Sequence, residues 1–449
     1  MNNFWGEFMK RKFRISPAQI IVIGFLAVIL IGALLLCLPF ASRGEPVHFV
    51  DALFTATSAT CVTGLVSLTT ATQWTLFGQI VIIILIQIGG LGFMTFISLS
   101  TIIAKKRVSL HQRKLLMQSA GTIELNGIIK HMRRIVFGTF AIEGIGALIL
   151  SIRFWASGYS FIKGLWFGIF HSISAFCNAG FDILGESSLI DYQGDYIVLL
   201  TVSLLIIIGG IGFLVWDDFT EHKFKLKRYK LHSKIALSTT LILLIAGTII
   251  IYVTERNYAL SELNEGQKWL NAFFESVTLR TAGFASFDQA ELSTGGTMLS
   301  YILMLIGGSP GSTAGGIKTV TFAVVVFNAV CFARNKDSLT SFKKRIHDSI
   351  VKQACAIITL YLLVACIVTA VISMIEPFGL NEILFEVISA IATVGLTKGI
   401  TASLSIASKL ILCFTMFFGR MGGLTLVLAI AEKRNTAKIE RPYEKILIG

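Results

Sequence analysis

The chain has 449 residues; 54% are hydrophobic without counting its 40 glycines, and only 14% are charged. Soluble domains carry roughly 25% charged residues, so a soluble enzyme, a disordered tail and a nucleic-acid binder are all excluded. The net charge of +13 then has to be read from where the charges sit rather than from their sum.

A membrane helix needs about 20 mostly apolar residues. Eight stretches meet that standard, at about 17–38, 74–104, 135–155, 196–216, 234–253, 298–332, 353–375 and 406–431. The first is too long for a signal peptide and has no small-residue cleavage site before Pro39. Most of the 39 Lys and Arg fall at 10–14, 105–134, 223–234, 334–352 and 433–445, all on one side of the eight spans. The positive-inside rule makes that side cytoplasmic. The expectation is a multi-pass protein of the cell membrane with both termini in the cytoplasm. The basic excess is a topology signal and a contact for anionic lipid of the bilayer, with no nucleic-acid partner. The seven cysteines, most in or beside apolar runs, form neither a disulfide framework nor a zinc spacing.

The four outside connections repeat one pattern. Each holds an apolar stretch too short to cross a bilayer, then a turn with Gly. Phe precedes that Gly by ten residues every time: Phe54 and Gly64, Phe170 and Gly180, Phe273 and Gly283, Phe385 and Gly395. Ser precedes it by six in three cases, at Ser58, Ser174 and Ser389. The helices that follow repeat as well, through Gly89-Gly90, Gly209-Gly210, Gly307-Gly308 and Gly419-Arg420. Such a repeat predicts an all-α membrane protein, with eight transmembrane helices in four helix–pore loop–helix repeats around a central cation pore. The repeats run over 17–105, 134–222, 233–334 (with a broken second helix) and 352–432, followed by a cytoplasmic tail at 433–449.

About eleven residues of helix rise only about 17 Å, half a bilayer, so each short helix must turn back. Irregular backbone at that depth persists only where it is buried in protein or lines a wet cavity. Carbonyls freed from helix bonding can replace the water shell of a cation, and the partly negative helix C-termini favour one. The candidate ion-binding residues are Val62, Thr63 and Gly64; Asn178, Ala179 and Gly180; Thr281, Ala282 and Gly283; and Thr393, Val394 and Gly395. Thr393-Val394-Gly395 matches the start of the Thr-Val-Gly-Tyr-Gly potassium filter. The Gly-Gly-x-Gly runs of spans two and four read instead as close helix packing.

Span six is interrupted. Five Gly and one Pro within 307–319 do not make a firm helix. A kink against a neighbour is the plain alternative; a functional loop at membrane depth is the reading preferred. The candidate gate comprises Gly307, Gly308, Gly311, Ser312, Thr313, Gly315, Gly316 and Lys318, together with Arg420. Arg420 lies near the middle of span eight, where charge is expensive and usually functional. Lys318 reads equally as a gate residue or as a lysine reaching to the interface. Glu143 reads as a buried polar contact. The segment 311–319 nearly spells a phosphate-binding loop, but Ile317 intrudes before Lys318 and no strand precedes it. The seven His form no metal or catalytic pattern, so neither enzyme activity nor a catalytic residue is expected.

These loops, with Ile-Gly-Gly-Leu-Gly-Phe from Ile88, Arg-Thr-Ala-Gly-Phe from Arg280, Gly-Ser-Thr-Ala-Gly-Gly-Ile-Lys from Gly311 and Phe-Gly-Arg from Phe418, resemble the Trk/Ktr/HKT superfamily of potassium transporters. The resemblance covers nearly the whole chain and is greatest to the bacterial Ktr membrane subunits, KtrB and KtrD. It implies potassium uptake through a selectivity filter at Gly64, Gly180, Gly283 and Gly395, and an intramembrane gate at 307–319 facing Arg420. It further implies a homodimer with one pore per subunit and a cytosolic regulatory ring of the RCK type, KtrA- or KtrC-like. Nucleotide would bind only on that ring, and this chain would carry no cofactor of its own. Sodium is a common activator in the Ktr branch, but no residue here derives it. The longer Trk relatives carry two further N-terminal spans, not expected here. A competing class, the alternating-access carrier, usually shows inverted repeats, whereas these four share one orientation.

Overall fold

The run 17–36 is Leu, Ile, Val, Ala and Gly almost throughout and has no polar face. It forms helix α1 (Pro17–Leu36), opened by a proline whose missing N–H costs nothing in a first turn. The computed structural model describes residues 17–44, 46–92, 128–185, 187–336 and 338–422. The basic stretches at 10–14 and 105–114, the far part of span two, the end of span eight and the tail 433–449 lie outside the described residues.

After α1 come α2 (Phe49–Cys61), α3 (Leu76–Leu91), α4 (Ile128–Ala156), α5 (Phe161–Phe176), α6 (Tyr196–Gly210) and α7 (Phe213–His222). They are followed by α8 (Leu231–Glu255), α9 (Glu265–Thr278), α10 (Thr294–Leu305), α11 (Thr319–Ala333), α12 (Asp348–Ile375), α13 (Leu380–Ala392) and α14 (Ile406–Met421). Among the described residues the only sheet is a two-residue ribbon pairing Thr340–Ser341 with Lys344–Arg345.

A long helix followed by two shorter ones recurs four times, as α1–α3, α4–α6, α8–α10 and α12–α14; the first of each shorter pair is the short helix and the second the medium helix below. Each long helix packs on the short helix that follows it: α1 on α2, α4 on α5, α8 on α9, α12 on α13. Each medium helix also packs on the short helix of the next repeat: α3 on α5, α6 on α9, α10 on α13, and α14 back on α2. The last contact closes the chain into a ring. The four medium helices begin alike, with Thr75, Asp195, Ser293 and Ser405 as side-chain N-caps that satisfy first-turn N–H groups.

Four described helices hold a stretch long and apolar enough to cross a membrane, Gln19–Leu36, Ile129–Ala156, Leu231–Glu255 and Asp348–Ile375. The pair α6 and α7 passes the same test but is bent by 92°. Leu34, Phe137, Ile242 and Leu363 are exposed on these elements, an apolar exterior that suits lipid rather than water.

Two expectations need correction. Span four is not continuous over 196–216: it breaks at Gly212, whose φ is 101°. The break arises because the Phe213 N–H donates to the Gly311 carbonyl at 2.7 Å, so the chain turns to meet the interrupted segment of span six. The helices α3 and α14 end at Gly92 and Gly422, with φ of 83° and 74°. In Gly-Gly-x-Gly the paired glycines follow the packing reading and the last one does not: a Cβ on Gly90 would lie 2.6 Å from Cys177 Sγ. A Cβ at Gly89, Gly209 or Gly419 would overlap the carbonyl of Thr60, Phe176 or Ile391 on the neighbouring short helix. The last glycine instead ends the helix in a backbone that L side chains rarely adopt.

Candidate functional site

Each short helix ends in the same unusual backbone. The residues two before the loop glycines, Val62, Asn178, Thr281 and Thr393, have φ of 57°, 59°, 69° and 52°. Left-handed conformations of non-glycine residues, three of them β-branched here, are costly and cluster at functional sites. Gly64, Gly180, Gly283 and Gly395 follow with φ of 97°, 67°, 81° and 98°.

The four loops meet in chain order. A Cβ built on Gly64, Gly180, Gly283 or Gly395 would lie within 2.7 Å of the carbonyl oxygen of Ala179, Ala282, Val394 or Thr63 respectively. Loop one thus abuts loop two, two abuts three, three abuts four, and four abuts one. All twelve expected ion-binding residues are therefore brought together, and every one is buried. Among the described residues the hydroxyls of Thr63, Thr281 and Thr393 have no hydrogen-bond partner. Oxygen-rich surroundings of this kind suit a hard cation, which takes carbonyl and hydroxyl oxygens in place of water.

The recurring serine gains a role in the structure. In loops one and four, Ser58 Oγ accepts from the Gly64 N–H and Ser389 Oγ from the Gly395 N–H, both at 3.0 Å. In loops two and three the polarity reverses: Ser174 Oγ donates to the Phe181 carbonyl and Thr278 Oγ1 to the Phe284 carbonyl, both at 2.7 Å. Thr278 was invisible to a search for serine because it sits one residue later and is threonine. A hydroxyl near the end of each short helix is the signal that finds it.

The interrupted segment of span six lies directly against these loops. A Cβ on Gly307 would lie 3.0 Å from Thr281 Cγ2, and one on Gly315 would overlap Thr393 Oγ1. Backbone bonds hold the segment on both flanks: the Ser309 N–H donates to the Gly210 carbonyl at 2.9 Å, and the Gly307 N–H to the Ile317 carbonyl at 2.9 Å. Thr313 Oγ1 donates to the Phe176 carbonyl at 3.1 Å.

Two cations grip three successive carbonyls of that segment. Arg420 donates to the Thr313 carbonyl and also to those of Gly89 and Gly90. Lys318 Nζ folds back onto the Ala314 carbonyl at 2.5 Å and the Gly315 carbonyl at 3.4 Å. Lys318 therefore does not reach toward an interface. Gly308, Gly311, Ser312 and Gly316 complete the turn, with Gly311 and Gly316 at φ of 66° and 65°. The segment sits under the ring of loops, pinned by positive charge from α14 and from itself.

Glu143 is buried and accepts from Gln87 Nε2 at 3.1 and 3.2 Å. It joins α4 to α3 and to the end of α5, where the Cys177 Sγ also donates to it at 3.9 Å, a buried polar contact as expected. On the opposite side of the ring from the interrupted segment lies a cavity of about 240 Å³ that reaches all four loop glycines and is bordered by Asp182, Asp288 and Thr397.

The chain matches the family model described as TrkH, cation transport protein, over residues 9–441. It is 43% identical to the potassium/sodium uptake protein NtpJ of Enterococcus hirae, covering 98% of this chain and 99% of that one. It is 39% identical to the Ktr system potassium uptake protein B of Bacillus subtilis, covering 97% of each chain. The Ktr system potassium uptake protein D of the same organism is 35% identical, over 97% of this chain and 98% of that one. Among solved structures, the potassium transporter TrkH from Vibrio parahaemolyticus shares the fold, with a TM-score of 0.72 at 17% identity over 94% of this chain and 86% of that one.

Proposed function

The chain belongs to the TrkH cation transport family, and from that premise we propose that it is the ion-translocating subunit of a Ktr-type potassium uptake system. The protein is a multi-pass membrane transporter of cations. In the reading proposed here it has eight spans in four helix–pore loop–helix repeats, with boundaries at 17–105, 134–222, 233–334 and 352–432 and a cytoplasmic tail at 433–449. The residues 62–64, 178–180, 281–283 and 393–395 form its selectivity filter.

The observation that carries this reading is the closed ring in which each loop glycine meets the preceding carbonyl of the next loop. Four backbone segments from four repeats around one axis can replace the hydration shell of a potassium ion without any charged side chain. A cation enters from the 240 Å³ cavity beside Asp182 and Asp288, sheds water at the ring, and meets the segment 307–319. That segment and Arg420 together make the gate: fixed positive charge and a folded loop close the path under the filter. Both termini face the cytoplasm. Two copies of the chain associate, each with its own pore, and a cytosolic nucleotide-binding ring moves the gate. Sodium acts as an activator.

The test is cation flux by purified protein in liposomes, with and without sodium. Potassium uptake that rises with added sodium and exceeds sodium uptake is expected. Equal passage of both ions, or no passage by correctly assembled protein, would overturn the reading.

A further inference from the structure

Behind the fourth loop lies a buried carboxylate that the ion path does not touch. Glu386 is on α13, nine residues before Gly395, and is 1% exposed. Its Oε1 accepts from Thr397 Oγ1 and its Oε2 accepts from Thr401 Oγ1 at 3.0 Å. The Lys398 backbone N–H also donates to it. All three donors belong to the limb that leaves Gly395 for the outer cavity. Thr397 Oγ1 in turn accepts from the Gly399 N–H at 2.9 Å and lies 2.9 Å from Thr401 Oγ1. One carboxylate thus ties the whole limb 397–401 to the short helix that carries it.

The second repeat has the same device at the same register. His171 is nine residues before Gly180 and fully buried. Its Nδ1 lies 2.7 Å from the Phe167 carbonyl, which only accepts, so Nδ1 carries the proton. Its Nε2 is then the acceptor for the Ile183 N–H at 3.4 Å. Ile183 follows Gly180 by three residues, as Lys398 follows Gly395. Repeat one differs: Thr55 Oγ1 at the matching position donates to the Asp51 carbonyl within its own helix. In repeat three Phe274 holds that position and the carboxylate comes one residue later, as Thr278 does: buried Glu275 accepts at Oε2 from Gln289 Nε2 of the outer limb at 3.3 Å.

We propose that Glu386 is a specificity-determining positioning residue, which holds the outer limb of the fourth loop so that Thr393, Val394 and Gly395 keep the spacing that prefers potassium. The physical reason is the strain next to it. Thr393 and Gly395 have φ of 52° and 98°, and strained backbone persists only where its surroundings over-determine it. On the helix side Ser389 fixes the Gly395 N–H. On the outer side the Glu386 cluster fixes the limb, and Lys398 Nζ ties it onward to Thr297 Oγ1 of α10 at 3.1 Å. With the carboxylate replaced by an amide, one acceptor becomes a donor facing donors. The limb then relaxes, and the carbonyls next to it lose the spacing that separates potassium from sodium. The inference rests on the filter reading above.

The experiment measures potassium and sodium uptake in competition, per molecule of assembled protein in liposomes. The variants are Glu386→Gln, Thr397→Val, Thr397→Ser and, as reference in a loop to which Glu386 makes no hydrogen bond, Gly64→Ser. Glu386→Gln and Thr397→Val are expected to lower the potassium-over-sodium ratio by about three- to tenfold, the scale of one ordinary hydrogen bond. Thr397→Ser keeps the hydroxyl and should retain the ratio. A residue that serves folding alone changes the amount of assembled protein but not the ratio of two fluxes through it. A shifted ratio in Gly64→Ser with unchanged ratios in Glu386→Gln and Thr397→Val overturns the proposal and leaves the filter reading standing. Unchanged ratios in all four variants overturn the filter reading itself. If Glu386→Gln does not assemble, Thr397→Val against Thr397→Ser decides the matter alone.

Discussion

Gly315 lies so close to Thr393 that a Cβ on the glycine would overlap the threonine Oγ1. The interrupted segment of span six is thus seated against the fourth loop with no side chain between them. Any movement of this segment alters what lies against Thr393, and on the proposed reading this contact joins gating to the filter. Gly315→Ala is expected to push the segment off its seat. Potassium flux in liposomes without any partner should rise severalfold, and unchanged flux in assembled protein would show that the seat is not the closed state.

The grip of Arg420 on the Thr313, Gly89 and Gly90 carbonyls leads to a second expectation. Hydrogen bonds to a charged group contribute about 1.5–3 kcal/mol each, so losing them favours opening by about tenfold or more. Arg420→Ala and deletion within 311–316 should therefore act in the same direction, raising flux per folded molecule. Flux at or below that of the unmodified protein from the shortened loop would make the segment a structural kink.

Gly64 is constrained twice, by its φ of 97° and by the Ala179 carbonyl 2.6 Å from where a Cβ would stand. A residue other than glycine in the left-handed region costs roughly 1–2 kcal/mol. Gly64→Ser should leave the protein assembled in the membrane but lower potassium preference about tenfold. Competition uptake of the two ions reads this directly.

The first glycines of the medium helices make a stability prediction independent of transport. Alanine at Gly89, Gly209 or Gly419 would overlap the carbonyl of Thr60, Phe176 or Ile391. Overpacking of this kind costs typically about 1–3 kcal/mol. Thermal unfolding in detergent should show all three variants less stable, whereas Gly144→Ala, with open space around it, should not differ.

Lys223, Lys225, Lys227 and Arg228 are exposed just beyond the end of α7. Together with the basic stretch 105–114, which lies outside the described residues, the stretch 223–234 is the candidate docking face for a cytosolic regulator. If this face meets a cytosolic regulator, replacing the four charges by Gln should weaken capture of the regulator about tenfold at low salt, and less as salt screens the charges. Full binding by the charge-free variant would move the interface elsewhere.

The amino-acid sequence alone determined the membrane class, the fourfold repeat, the loop glycines and the segment 307–319 with Arg420. It could do so because each follows from local chemistry repeated at a fixed interval: apolar length, a Phe–Gly spacing of ten, and glycine where no helix can continue. What only the tertiary structure decided is how the repeats meet. The carbonyl of Thr63 lies beside Gly395, more than three hundred residues away, and no local pattern encodes that closure. The bend at Gly212 was equally illegible, because Gly-Gly-x-Gly serves packing and helix ending alike until the Gly311 carbonyl is seen waiting for the Phe213 N–H. Lys318 was undecided in the sequence for the same reason: a long flexible cation takes whichever acceptors are near, and only the folded loop puts the Ala314 and Gly315 carbonyls within its reach.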